Sequence, residues 1–303
     1  MQIVFALVAL VVGFVLLVKG ADWFVEGSAG IANKFGIPQI VIGLTIVAMG
    51  TSMPEAAVSI SAALRGSAEI TIGNVVGSNI MNILVILGLT AVVCQIAVQK
   101  TTIHYEIPMV IGVTILLAVM GLQNNIISRA EGVILLACMV VYMLYLLRLA
   151  KRGVVENEEM DAYAKQVSFG RLILLVVVGV AAIIFGSHVA VEAASAIARI
   201  FGISERFIGL TIVAFGTSLP ELVTSVAAAR RGNSDIAVGN IVGSNLFNIM
   251  FVVGITAVIV PVVYQPTFWV DSVVAVGGAG GLLGVGFSRG GGRPPRQYVL
   301  KKV

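Results

Sequence analysis

Charge is scarce in this chain. Of 303 residues only 11% are Asp, Glu, Lys or Arg, against about 25% in a soluble domain. The +4 net charge is spread over connections, with no clustered basic face interleaved with aromatics, which argues against nucleic-acid binding. Two cysteines, Cys94 and Cys138, lie far apart in apolar runs without metal-ligand neighbours. They read as small buried hydrophobes. There are two histidines and no GxxxxGK[ST] phosphate loop. Nothing has the pattern of a hydrolytic triad, so the chain is not read as an enzyme, and no cofactor is implied. The absence of charge over residues 1–18, with Lys19 after rather than before the run, indicates a retained first helix instead of a cleaved signal.

What is present is apolar. Hydrophobic residues make up 58% of the chain and mean hydropathy is +1.05. A bilayer-spanning helix needs about 20 apolar residues. Nine candidate spans follow: 2–18, 38–64, 70–95, 105–122, 128–148, 169–190, 205–229, 236–260 and 267–287. The second and seventh are long enough to contain a break. Lys and Arg placement favours an external N-terminus, with the polar 149–168 connector in the cytoplasm and the chain multi-pass in the plasma or inner membrane.

One passage occurs twice. Residues 43–89 and 209–255 align without a gap at an offset of 166, with 26 of 47 positions identical. Flanking residues follow the same offset: Gly20 pairs with Gly186, and Phe35-Gly36-Ile37 with Phe201-Gly202-Ile203. Five spans separate each element from its copy, so the copies cross the membrane in opposite directions. The expected fold is an all-α membrane protein, an inverted repeat of two five-helix halves. The halves are 1–148 and 169–287, joined by 149–168 and followed by a basic tail, 288–303. By the same offset Ser128 corresponds to 294, where a tenth helix is due. The glycine-, arginine- and proline-rich sequence there cannot span, so the tenth helix is expected to be missing or altered, by truncation or a shifted reading frame.

Each copy carries a proline-broken acidic motif. In GTSMPE (50–55) Pro54 lacks an N–H and frees nearby carbonyls. Thr51, Ser52 and Glu55 can converge on one side of the turn. GTSLPE (216–221) repeats this with Thr217, Ser218, Pro220 and Glu221. The second half of each copy, GNxxGSNxxN, puts Asn74, Ser78 and Asn82 on one helical stripe, and Asn240, Ser244 and Asn248 on its mate. Four segments thus offer oxygen alone, which suits Ca²⁺ and Na⁺ rather than zinc or copper. A carboxylate at bilayer centre costs about 2.5–3.5 kcal/mol, so two at equivalent positions point to function. Asp22, Glu26, Glu192 and His188 read as helix-end residues, and His104 and Glu106 as part of a short connection.

The duplicated GTSxPE and GNxxGSNxxN motifs resemble those of the sodium/calcium exchanger family of cation/Ca²⁺ antiporters, especially its short prokaryotic members. The resemblance covers the chain to about Asp271. It implies a site between the second, third, seventh and eighth helices. Its ligands would be Thr51, Ser52, Glu55, Ser78 and Asn82, then Thr217, Ser218, Glu221, Ser244 and Asn248, with the carbonyls of Ala48 and Ala214. It implies Ca²⁺ and Na⁺ as substrates, with no nucleic acid and no obligate protein partner, and Asn248 resembles the potassium-independent branch. Ca²⁺/H⁺ exchange, a cation channel and a non-transporting remnant stay open as alternatives.

Overall fold

The computed structural model describes residues 2–68, 70–151, 167–204, 212, 214–288 and 297–300. Most of the connector, the start of the seventh span and much of the tail therefore lie outside the described residues. Eleven helices are described: α1 (Gln2–Phe35), α2 (Gln39–Thr51), α3 (Met53–Leu64), α4 (Ile70–Val93), α5 (Thr102–Asn124), α6 (Arg129–Ala150), α7 (Phe169–Ile200), α8 (Ala214–Thr217), α9 (Leu219–Arg230), α10 (Ser234–Ile259) and α11 (Phe268–Ser288). Six of these are long and apolar enough to cross a membrane, or seven if the bent pair α2–α3 counts as one span.

The first span is longer than expected. α1 runs unbroken to Phe35, so Lys19, Asp22 and Glu26 lie within a helix and not at its end. Asp22 and Glu26, one turn apart, both meet Arg231, at 3.5 and 3.3 Å. α7 likewise runs past 190 to Ile200, which places His188 and Glu192 inside it. α5 begins earlier than expected. His104 and Glu106 belong to a π-helical first turn, Thr102–Glu106, and Glu106 is fully buried. The short connection expected there is narrower, holding the strand β1 (Ile96–Gln99).

The repeat is visible in the backbone itself. Gly36 and Gly202 have φ of 62° and 76°, and Gly66 and Gly232 have φ of 84° and 78°. Each pair is 166 residues apart, so the same left-handed turn closes the same helix in both halves, in a conformation glycine adopts without strain. Ser52 (φ −86°, ψ 7°) and Ser218 (φ −90°, ψ 2°) break the helix before Pro54 and Pro220 in the same way. Across the first break α2 and α3 meet at 45°.

α10 is the axis of the molecule, and nearly all of its residues are buried. It crosses α2 with backbone in contact: a Cβ on Gly43 would lie 3.0 Å from Gly239 Cα, and one on Gly239 would lie 2.9 Å from Gly43 Cα. Around it, α2, α4, α5 and α6 form the larger apolar cluster, with Ile72, Ile86, Leu117, Leu135 and Leu246 at its centre. α1 and α7 pack along each other and form a second cluster with α9, outside the first. Their outer faces leave Phe5, Val11, Val15, Leu174, Val177 and Phe185 exposed, as lipid contact demands. Two short antiparallel ladders tie connections together. Ile126–Ile127 (β2) pairs with Val262–Val263 (β3). Gln297–Leu300 (β4), in the tail, pairs with β1 in the register Ile96↔Leu300.

The glycine crossing yields a direct test. Gly43→Ala and Gly239→Ala should each lower stability by about 1–3 kcal/mol, because the new methyl meets backbone that cannot turn aside. Gly112→Ala, where a Cβ meets nothing within 4 Å, should be neutral or stabilising by up to about 1 kcal/mol. Thermal unfolding of the three detergent-purified variants checks this; equal behaviour of all three would refute the crossing.

Candidate ion-binding site

The two broken helices deliver their carboxyls to one place. Pro54 and Pro220 start α3 and α9, and Glu55 and Glu221 occupy the first turn of each, where a helix N-terminus favours negative charge. Both are fully buried, Glu55 at 0% and Glu221 at 1% exposure. Each Oε1 is held by hydroxyls from both halves. Glu221 Oε1 accepts from Ser52 at 2.8 Å and from Ser244 at 3.4 Å. Glu55 Oε1 accepts from Ser218 and Ser78, both at 3.5 Å. The pattern is the same after a 166-residue shift.

Thr51 lies at the edge of this cluster. Its Oγ1 is 2.9 Å from Asn240 Oδ1 and 3.5 Å from Ser244 Oγ, and it also approaches the carbonyls of Val47 and Ala48. Ser244 Oγ donates to the Ala48 carbonyl at 3.4 Å. Thr217 is half-buried beside the Glu55 carboxyl. Ala214 begins α8. The structure thus brings together Ala48, Thr51, Ser52, Glu55, Ser78, Ser218, Glu221 and Ser244 through contacts, with Thr217 beside them.

Asn82 and Asn248 belong to a second polar group, and here two residues that sequence reasoning passed over become visible. Asn79 Nδ2 donates to the Asn245 carbonyl at 3.1 Å, and Asn245 Nδ2 donates to the Asn79 carbonyl at 3.4 Å. Asn82 Nδ2 donates to Asn245 Oδ1 at 2.9 Å, and Asn248 Nδ2 to Asn79 Oδ1 at 3.2 Å. Four buried amides form a crossed knot between α4 and α10. With both Nδ2 groups so engaged, Asn82 and Asn248 present Oδ1 elsewhere. Both residues also sit where the helix widens into π turns, Met81–Ile86 and Asn248–Val253, a common feature of functional sites. The signal for Asn79 and Asn245 was present as the invariant Gly-Ser-Asn of the two copies. The stripe at spacing four simply drew attention away from the next residue.

Asn74 and Asn240, though on that stripe, brace the broken helices. Asn74 Nδ2 donates to Ser59 Oγ and the Glu55 carbonyl, at 3.0 and 3.2 Å. Asn240 Nδ2 does the same to Ser225 Oγ and the Glu221 carbonyl, at 2.9 and 3.3 Å.

The buried side-chain atoms that lack a hydrogen-bond partner include Glu55 Oε2, Glu221 Oε2, Asn82 Oδ1 and Asn248 Oδ1. These are two symmetry-related pairs, all acceptors. A buried acceptor without a donor costs about 1–3 kcal/mol, so these four atoms are uncompensated within the described protein. Among the described residues no group of three or more His, Cys, Asp or Glu could hold a metal. The cluster offers two carboxyls with neutral oxygens around them.

A family model described as sodium/calcium exchanger protein matches residues 5–148 and 171–288. The chain belongs to this family. Inner membrane protein YrbG of Escherichia coli is 38% identical over 260 residues, covering 83% of this chain and 79% of YrbG. CaxA of Alkalimonas amylolytica is 40% identical over 260 residues, covering 84% and 81%. A solved structure of the sodium-calcium exchanger NCX_Mj, soaked with Na⁺ and Sr²⁺, superposes with a TM-score of 0.82 at 31% identity, over 98% of this chain and 92% of that one. The all-α architecture and inverted repeat of this family member are those of a membrane antiporter of cations.

The amide knot predicts coupled losses. Asn79→Ala and Asn248→Ala should each cost about 1–3 kcal/mol, since each breaks the Asn248 Nδ2 to Asn79 Oδ1 bond and leaves a buried partner unpaired. The double variant should lose less than the sum, because both substitutions remove that one shared bond. Thermal unfolding of all three provides the cycle; strict additivity would show that the amides act independently.

Proposed function

We propose that this protein exchanges Ca²⁺ for Na⁺ through the Glu55–Glu221 cluster, in a plasma or inner membrane, with its N-terminus outside. The observation that carries the reading is the fourfold set of unpartnered acceptors, Glu55 Oε2, Glu221 Oε2, Asn82 Oδ1 and Asn248 Oδ1. Ser52, Ser78, Ser218 and Ser244 hold the other carboxylate oxygens in place. The Thr51 and Thr217 hydroxyls and the Ala48 and Ala214 carbonyls complete an all-oxygen shell in this reading. Two carboxylates supply about two negative charges, enough for one Ca²⁺ or two Na⁺. Because both ions need the same oxygens, one must leave before the other enters, and that competition is the coupling. Transport then requires the occupied cluster to be reachable from either side in turn. No protein partner and no cofactor enter this mechanism; the bilayer is its only other component.

Glu55→Gln and Glu221→Gln each remove one negative charge while keeping the acceptor for the cross-repeat serine. Each should abolish Na⁺-driven Ca²⁺ uptake in proteoliposomes, because one carboxylate fewer leaves the divalent charge uncompensated in a buried site. Near-normal uptake in either variant would overturn the site. The same assay separates the alternatives: uptake driven by a pH gradient in place of Na⁺ would make the protein a Ca²⁺/H⁺ exchanger, and uncoupled flux a channel.

Orientation is tested separately. Single cysteines at Gly66 and Gly232, in a background lacking Cys94 and Cys138, should react with an impermeant thiol reagent from opposite sides of the membrane. Gly66 should be reached from outside. Labelling of Gly232 from outside would invert the proposed topology.

A further inference from the structure

A second buried carboxyl lies outside the Glu55–Glu221 cluster, and that cluster has no use for it. Glu106 closes the π-helical first turn of α5 and is 0% exposed. One of its oxygens, Oε1, accepts from the Tyr145 hydroxyl of α6. The other, Oε2, is buried without a hydrogen-bond partner. One turn earlier Thr102 is also 0% exposed. Its hydroxyl lies within reach of the Glu106 carboxyl, and its Oγ1 is likewise without a partner. A buried ionisable side chain with an unpartnered oxygen near the end of a membrane helix calls for a functional explanation.

The repeat gives no structural reason for it. Glu106 shifted by 166 is Ser272, whose Oγ pairs with Tyr264 at 3.1 Å. The second half therefore keeps this position neutral and satisfied.

We propose that Glu106, Thr102 and Tyr145 form a second cation site, separate from the Glu55–Glu221 cluster, that takes a single proton. A proton on Glu106 Oε2, donated to Thr102 Oγ1, satisfies both unpartnered atoms at once, while Tyr145 keeps its bond to Oε1. A Ca²⁺ ion wants six to eight oxygens, and this corner offers one carboxyl and two hydroxyls. The surrounding titratable groups leave the proton to Glu106. From α6 they are Tyr142 and Tyr145. On its own segment they are Lys100, His104 and Tyr105, with His104 exposed and its Nδ1 2.7 Å from the Lys100 carbonyl. From α10, Asp235 is engaged by Gln99 at 2.6 Å.

The site is wired to the ion cluster. The Tyr145 ring stacks on Tyr142, with centroids 6.5 Å apart and planes at 23°. Tyr142, 1% exposed, points its hydroxyl at the Leu44 carbonyl, 3.5 Å away. Leu44 belongs to the π turn Gly43–Val47, which leads directly into Ala48. Glu106 starts α5 and Tyr145 lies near the end of α6, at Ala150. Both therefore sit on the membrane face that carries the connector. A proton bound from that face bears on the turn that sets the Ala48 carbonyl.

Glu106→Gln is the decisive variant, since an amide reproduces the protonated carboxyl: one acceptor for Tyr145 and one donor for Thr102. Two readouts apply, with pH varied from about 5 to about 9, a range that brackets ordinary carboxyl and imidazole titration. The first is infrared spectroscopy of the purified protein, which reads protonated carboxyls without transport. The wild type should show a protonated-carboxyl band that is lost in Glu106→Gln and displaced in Tyr145→Phe. The second is Ca²⁺ uptake in proteoliposomes, which rests on the exchange reading above. Glu106→Gln should still transport, but without the part of the pH dependence set from the connector side. An unchanged band and pH profile in Glu106→Gln would overturn the proposal. So would a wild-type band that is absent throughout this pH range, with Na⁺ protecting the site in its place. A wild type that moves no Ca²⁺ would defeat the exchange reading alone, and the band would then decide this one.

Discussion

Two carboxyls buried together in an apolar chain are the constraint from which the rest of this structure follows. Each would cost several kcal/mol alone at membrane depth, and side by side they also repel. The molecule answers with hydroxyls from the opposite half: Ser52 on Glu221 and Ser218 on Glu55. Each carboxyl takes one hydroxyl from its own half and one from the other, so the two repeats assemble around one point. The helix breaks at Pro54 and Pro220 put the carboxyls on fresh helix N-termini, and the bracing amides of Asn74 and Asn240 tie those new helices to α4 and α10. What remains after this compensation is a set of unpartnered acceptors.

Close packing is the second requirement, and it explains the glycines. Hydroxyl-to-carboxylate contacts of about 3 Å across halves demand helix axes closer than bulky residues allow. Gly43 on Gly239 and Gly20 on Gly179 bring main chains into contact at the two main crossings. Lipid supplies no hydrophobic drive for helices to associate. Packing of this kind, together with the amide knot of Asn79, Asn82, Asn245 and Asn248, therefore has to supply the cohesion.

Much of this was legible in the residues. The 166-residue offset carried the fold class, the break positions and the equivalence of Glu55 with Glu221, because a gap-free internal copy in a membrane chain leaves few arrangements. Helix ends were less legible. Hydropathy stops at Lys19, yet α1 continues to Phe35, because Phe24, Val25, Ala29 and Ala32 are buried there and Asp22 and Glu26 meet Arg231; a charge paired in three dimensions looks like a terminus in one. Glu106 was misplaced for the same reason, since Tyr145 and Thr102, which surround it, are 39 and 4 residues away. Asn79 and Asn245 were hidden differently. Periodicity assigns a face, and their role depends on reaching a neighbouring main chain.

The halves are alike at the ion cluster and unlike elsewhere, and that division has a thermodynamic meaning. A carrier with perfect twofold symmetry would have the same free energy facing either side, and its site the same affinity for each solution. Any bias must come from residues that break the symmetry. Three such places stand out among the described residues. Arg231 is paired with Asp22 and Glu26, whereas its mate Arg65 corresponds to a face bearing His188 and Glu192. Glu106 has Ser272 as its counterpart. The β1 strand is paired with the tail, at Ile96–Gln99 against Gln297–Leu300. By the offset and the helix directions all three lie toward the face that carries the connector. The Glu55–Glu221 cluster is therefore built by symmetry, and the departures from symmetry that could distinguish one side of the membrane from the other are gathered at one end of the molecule.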